Sequence, residues 1–288
     1  LSNKHKIVKY IFKEEIIMKM KKALSLALCL ILILGLAACG APAPGDSSAV
    51  FEKALEAAEK LESVHIDMDM TISFTLSAEG QSLEMPISMS MSMDSVNEPM
   101  ASFGQIDMSF MGQDTSALSY VVEEDGTYKS YTSPDGGATW AEQELSREEL
   151  GQFDAARSME FYLSAASGFS AAGPEEINGV EAMRYNGSIS GEQLNEAMSL
   201  TGADDMLDSA YGGAGSFEGS MPMSIWIDGD SGLPVRYELD MSEIMTNYTQ
   251  QSLGEQEGVT LDSVSATVVM DLSQFDAIDS ITRPEGIA

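Results

Sequence analysis

IDMDMTISFTL, residues 66–76, alternates without a break. Ile66, Met68, Met70, Ile72, Phe74 and Leu76 are apolar, and Asp67, Asp69, Thr71, Ser73 and Thr75 between them are polar. Successive side chains of a strand point to opposite faces, so a period of two predicts a strand with one buried face. LEMPISMSMSM, residues 83–93, repeats the pattern after a turn at Ala78-Glu79-Gly80, with Leu83, Met85, Ile87, Met89, Met91 and Met93 on the apolar side. Pro86 predicts an edge or a bulge there, because proline has no N–H to give a ladder. Beyond Asn97-Glu98-Pro99 a third run carries Ile106, Met108 and Phe110. A fourth carries Leu118, Tyr120 and Val122, and turns at Glu124-Asp125-Gly126 into Tyr128 and Tyr131. Long consecutive runs of this kind predict an antiparallel meander.

On either side the period lengthens to that of a helix. Residues 50–61 place Phe51, Leu55, Ala58 and Leu61 on one stripe, with Asp46, Ser47 and Ser48 as candidate caps. Residues 146–169 return to the helical period through Leu150, Phe153, Met159, Tyr162 and Leu163, and Ser146 with Glu149 forms a capping box. Ile177-Asn178-Gly179-Val180 is a hairpin signal. Residues 183–189 predict a strand, and 191–211 a weak helix interrupted by Gly202. A last hairpin runs through 221–227, turns at 228–232 and returns over 235–241. Residues 247–258 are polar and predict a loop, and 263–272 a closing strand. No domain boundary interrupts residues 49–288.

The N-terminal segment reads as an address. MKMKKALSLALCLILILGLAAC, residues 18–39, has a positive start in Lys19, Lys21 and Lys22 and an apolar stretch over 23–34. That stretch is short for a membrane span, which needs about 20 apolar residues. It ends Leu36-Ala37-Ala38-Cys39, followed by Gly40, the lipobox pattern of bacterial lipoproteins. Residues 18–38 are therefore predicted to be a lipoprotein signal peptide, and Cys39 the lipidation site. Two acyl chains hold stably where one holds marginally, at about 0.8 kcal/mol per buried methylene. Residues 39–48 form the lipidated cysteine and a Pro/Gly/Ser tether. Residues 1–17 are predicted to be an untranslated upstream extension, with translation starting at Met18 or Met20. The predicted location is the extracytoplasmic face of a bacterial cell membrane.

Charge excludes several functions. The chain has 15 basic and 46 acidic side chains, a formal charge of -31. Residues 1–38 hold seven of the basic ones and two of the acidic ones, so the body is more acidic still. Nucleic-acid binding through neutralised phosphates is excluded. Of two cysteines and two histidines, only Cys39 and His65 lie beyond the signal peptide, so no ordinary zinc or copper site and no metal is predicted. Asp228-Gly229-Asp230 begins like a calcium loop, but Gly232 and Leu233 break the pattern and favour a hairpin turn. His65 opens a strand, and no serine sits in a nucleophile elbow. A carboxylate hydrolase would need two acids converging in a cleft, which no spacing predicts. Neither enzymatic activity nor a cofactor is predicted.

The 20 methionines are the unusual feature. Met fills irregular cores, but it also lines adaptable binding surfaces, and the two uses are compatible. Met has less strand preference than Val or Ile, so its place on these strand faces needs a reason.

Ile225-Trp226-Ile227-Asp228 followed by Ser231-Gly232-Leu233-Pro234-Val235-Arg236 resembles a hairpin recurrent in the LolA/LppX-like bacterial lipoprotein superfamily. The closing Ile281-Thr282-Arg283-Pro284, the N-terminal helix leading into long alternating strands, and the helical insertion after about the fifth strand also fit. The resemblance implies an α+β fold, with a long antiparallel sheet curled into an open half-barrel and helices on its concave face. It implies non-catalytic binding of a lipid or acyl chain between sheet and helices. Met70, Ile72, Met89, Met91, Met108, Phe110 and Trp226 are the candidate lining residues. The other functional class compatible with these residues is a surface interaction or sensory module whose sheet is only its core. No protein partner is specified.

Overall fold

The alternating runs become long strands. In the computed structural model, which describes residues 47–78, 80–145, 159, 162–195, 217–253 and 259–287, the first six are β1 (Ser63–Ala78), β2 (Gln81–Val96), β3 (Ala101–Phe110), β4 (Gln113–Glu124), β5 (Thr127–Ser133) and β6 (Ala141–Leu145). Five more follow the helical insertion: β7 (Ser170–Ile177), β8 (Val180–Ser190), β9 (Ser220–Asp228), β10 (Pro234–Asp240) and β11 (Val259–Ser273). They form one open eleven-stranded sheet in the order β6-β5-β4-β3-β2-β1-β11-β10-β9-β8-β7. Two antiparallel meanders, β1 to β6 and β7 to β11, are thus joined where the first strand pairs the last, from His65↔Ser273 to Ala78↔Val259. The sheet is curled but unclosed, with helices on its apolar face, as the resemblance implied.

Local chemistry explains the turns. Asn178 and Gly179 both take positive φ, 51° and 84°, as a two-residue hairpin turn requires. The Asp228 carboxylate accepts the N–H groups of Asp230 and Ser231 and the Ser231 hydroxyl, at 3.1, 3.0 and 2.6 Å, and so organises the turn between β9 and β10. Pro86 lies in a strand paired on both sides, but one residue past the last pair with β3, Ile87↔Phe110. At that point β2 has a neighbour only in β1, where proline is tolerated.

Helices α1 (Ser48–Ala58) and α2 (Ser242–Leu253) lie within the described residues. Helix α1 buries Phe51, Ala54 and Ala58. Its N-cap residue, Ser47, makes no capping bond. Its hydroxyl instead donates to the Phe169 carbonyl at 2.5 Å, tying the helix to the chain that enters β7. Phe51 meets Phe169 and Tyr185 edge-on, at 6.3 and 5.2 Å. Helix α2 corrects the loop predicted over 247–258, as far as residue 253. Met241, Ile244, Met245 and Tyr248 recur at helical spacing and are buried, and tertiary burial overrides a polar local composition. Of the predicted insertion, 162–165 are helical and Ala166–Gly168 form a 3₁₀ turn. The Ser146 capping box, Leu150, Phe153, residues 196–211 and the whole segment 1–46 with Cys39 lie outside the described residues.

The core lies between α1, α2, the 3₁₀ segment and the apolar face of the sheet. The chain after β11 crosses the opposite, outer face. Asp276 accepts the Glu62 N–H at 2.7 Å and donates its own to the Ser63 carbonyl at 2.9 Å. Farther along, Arg283 pairs with Glu124 and stacks over Tyr131 at 5.6 Å, and Trp140 donates its indole N–H to the Glu285 carbonyl at 3.1 Å.

Candidate functional site

Antiparallel register assembles the apolar side chains into rows that run across the strands. One row joins Met223, Leu239, Val268, Met70, Met89 and Met108, from β9 to β3. The next joins Ile225, Tyr237, Met270, Met68, Met91 and Ile106 over the same strands. A third joins Ala266, Ile72, Ile87 and Phe110. Six of the seven candidate lining residues, Met70, Ile72, Met89, Met91, Met108 and Phe110, therefore share one face on three neighbouring strands.

Burial along these rows is graded. Met70, Ile72 and Met89 are only 1–3% exposed. Met91, Ile106, Met108 and Phe110 are half-buried, and Thr115, which follows Met108 on β4, is exposed. The apolar face is thus sealed over β9, β10, β11 and β1, and opens over β2 and β3. A sealed Met or Ile contributes about 1.5–3 kcal/mol by leaving water, which the half-buried ones only partly gain.

Trp226 is not brought together with the other six. Ile225 and Ile227 face the core, so alternation sends Trp226 to the outer face, buried among Ile177, Ala182 and Val235. Its indole N–H donates to Glu175 at 2.8 Å, and the Arg184 guanidinium lies over its ring at 4.8 Å. The bond from Trp226, with help from Arg184, holds the Glu175 carboxyl below its usual range.

A cavity of about 340 Å³ lies on that outer face. The rows Asp69, Ser90, Asp107, Ser116 and Thr71, Ser88, Ser109, Asp114 line it, flanking the strand positions of Met70, Met89 and Met108. Met70, Met89 and Met108 line it as well, so polar and apolar groups are mixed in this hollow. Among the described residues no group of three or more His, Cys, Asp or Glu is placed to hold a metal ion. His65 is held on the outer face between two carboxylates, with Nδ1 at 2.6 Å from Asp94 and Nε2 at 3.1 Å from Asp67. Burial works to lower its pKa, but the bond to Asp94 and the charges of both partners outweigh it, and the pKa is raised.

One residue of the sealed region was not singled out in the sequence. Tyr237 faces inward from β10, wholly buried, with its ring 5.0 Å from that of Tyr162. Its hydroxyl has no hydrogen-bond partner among the described residues. An unmet buried donor costs about 1–3 kcal/mol. The alternation of Tyr237, Leu239 and Met241 was the available signal, but it marks a core position, not an unmet hydroxyl.

Solved structures similar to this one include LprF, a lipoprotein and a LolA superfamily protein. LprF from Mycobacterium bovis is 16% identical, covering 86% of this chain and 100% of its own, with a TM-score of 0.48. The Mycobacterium tuberculosis lipoprotein LppX is 18% identical, covering 83% and 100%, with a TM-score of 0.40. A LolA superfamily protein from Nitrosomonas europaea is 11% identical, covering 83% and 96%, with a TM-score of 0.20. No curated protein matches the sequence. Residues 46–159 match DUF6612, a family of unknown function.

Proposed function

We propose that the chain is a lipoprotein, anchored through Cys39 at the extracytoplasmic face of a bacterial cell membrane, whose body binds a lipid or acyl chain without catalysis. The observation that carries this reading is the graded apolar face. A row of thioethers that is sealed at one end and half-open at the other suits a ligand that slides in over β2 and β3. Met70, Ile72, Met89, Met91, Met108 and Phe110 line its path, and Trp226, on the other face, does not. Binding comes from apolar burial, at about 25 cal/mol per Å², on side chains that adapt to varied chains. The tether of residues 40–48 spans about 30 Å at most, and the acidic body is repelled by anionic headgroups, so the domain stands off the membrane.

The test is the mass of the full chain purified from membranes. Native and denatured masses are compared, and the non-covalent difference is extracted and identified. A discrete lipid of about one per chain supports the reading, with Cys39→Ser moving the protein out of the membrane fraction. A native mass equal to the denatured mass, with no uptake of an apolar fluorescent probe, overturns it. The second reading, a surface interaction module, is favoured by the outer hollow, where rows of Asp, Ser and Thr present hydrogen-bonding groups to a partner while the methionines fill a core.

A further inference from the structure

Register gathers five thioethers into one block on the inner face. Met70, Met89 and Met108 stand opposite one another on β1, β2 and β3, and Met68 and Met91 stand opposite each other two residues along. Val268 on β11 and Thr115 on β4 bound the first of these rows. Side chains directly opposite on a ladder have Cβ atoms about 4.5–5.5 Å apart, and diagonal ones about 7–8 Å. Met89, Met91 and Met108 therefore form a triangle. Met89 faces Met108 across the ladder, Met91 follows Met89 on the same strand face, and Met91 and Met108 lie on the diagonal. An unbranched side chain with three rotatable bonds can turn its sulfur toward a shared point. Met89 is 3% exposed, whereas Met91 and Met108 are half-buried, so the triangle has a sealed corner and two open ones. His65, the one histidine among the described residues, is on the other face between Asp94 and Asp67.

We infer that Met89, Met91 and Met108 bind one soft monovalent cation of the copper(I) class through their three sulfur atoms. Thioethers are neutral and soft, and they select copper(I) over zinc, calcium and magnesium, which take imidazole, thiolate or oxygen ligands. Composition excludes the ordinary copper site built on histidine and cysteine, but it cannot say which thioethers meet. Register does. The inference does not rest on lipid binding, because leucine at these three positions would line an apolar path as well. The ion enters at the half-open corners and keeps water on that side, so its charge is never fully desolvated. A formal charge of -31 draws cations toward the body. No ligand of this site gives up a proton, so binding is independent of pH where histidine and carboxylate sites lose their metal.

The experiment uses silver(I), a redox-inert probe of the same chemistry. Silver nitrate in chloride-free buffer is titrated into the full chain, purified from membranes, stripped of lipid and with any thiol alkylated. Bound silver is counted by native mass spectrometry in an excess of N-acetylmethionine, which competes as a lone thioether. The expected result is one silver ion per chain, held equally near pH 6 and pH 8 and not displaced by zinc or calcium. The double variant Met91→Leu/Met108→Leu keeps volume and apolar character. Its silver affinity should fall by more than about tenfold, since two of the three soft ligands are gone. Met221→Leu/Met241→Leu, which removes two sealed thioethers elsewhere in the core, should bind silver like the wild type. A wild type that yields its silver to N-acetylmethionine overturns the inference by itself, even if a variant folds poorly. Unchanged affinity in Met91→Leu/Met108→Leu overturns it too, as does displacement of silver by zinc. None of these outcomes touches the lipid reading, which stands or falls on uptake of the apolar fluorescent probe by the wild type.

Discussion

At the scale of single residues, His65 makes the clearest prediction. Only the doubly protonated ring can donate to Asp94 and Asp67 together, and its pKa is raised in the fold. A raised folded pKa stabilises fully below the unfolded value of about 6.5, and that contribution is lost as pH rises through the folded value. The difference in Tm between wild type and His65→Gln should therefore be widest near pH 6 and close toward pH 9. A constant difference across that range would show that the histidine is held by packing alone. Trp226 shows the limit of reading single residues from sequence. Its hairpin was legible, with Gly232 at positive φ and Asp228 organising the turn. Its face was not, because Ile225, Trp226 and Ile227 are all apolar, and a period of two cannot choose the core side when both sides are greasy. Here both faces are covered, one by the helices and the other by the small cluster around Val235.

At the scale of elements, the alternation in β1, β2 and β3 specified both strand type and inward face, and the six inner-face candidates follow from it. What it could not specify is how far the helices cover that face, since coverage comes from segments distant in sequence. The gradient they leave is measurable. Met89→Ala, in the sealed region, should cost about 2–5 kcal/mol in urea unfolding, the usual range for a buried methionine. Met108→Ala, its half-buried neighbour across the ladder, should cost under about 1 kcal/mol, since its site is open to water. Equal costs would mean that the face is uniformly packed. Helix α2 escaped detection because Thr246, Asn247, Thr249, Gln250 and Gln251 dilute an apolar stripe of only three residues, Ile244, Met245 and Tyr248. Helix α1 was legible because its stripe is wider and begins just after a cluster of caps.

At the scale of the whole molecule, the formal charge of -31 works against compactness. Like charges repel over about 30 Å at 0.01 M salt but only about 8 Å at 0.15 M. Tm should therefore rise by several degrees between those two conditions, and a flat or falling Tm would show that local ion pairs such as Arg236 with Asp271 outweigh the general repulsion. The pairing of β1 with β11 belongs to the same scale and was not written in any local pattern, since register between strands some 200 residues apart leaves no mark on periodicity. It also dictates a timetable. The longest ladders of the sheet meet at β1, yet one of its two partners, β11, is the last of the eleven described strands to be made. Until then β1 has an unpaired edge and the two meanders have no seam. Such distant contacts slow folding, so the sheet locks only once β11 has been made and has found β1.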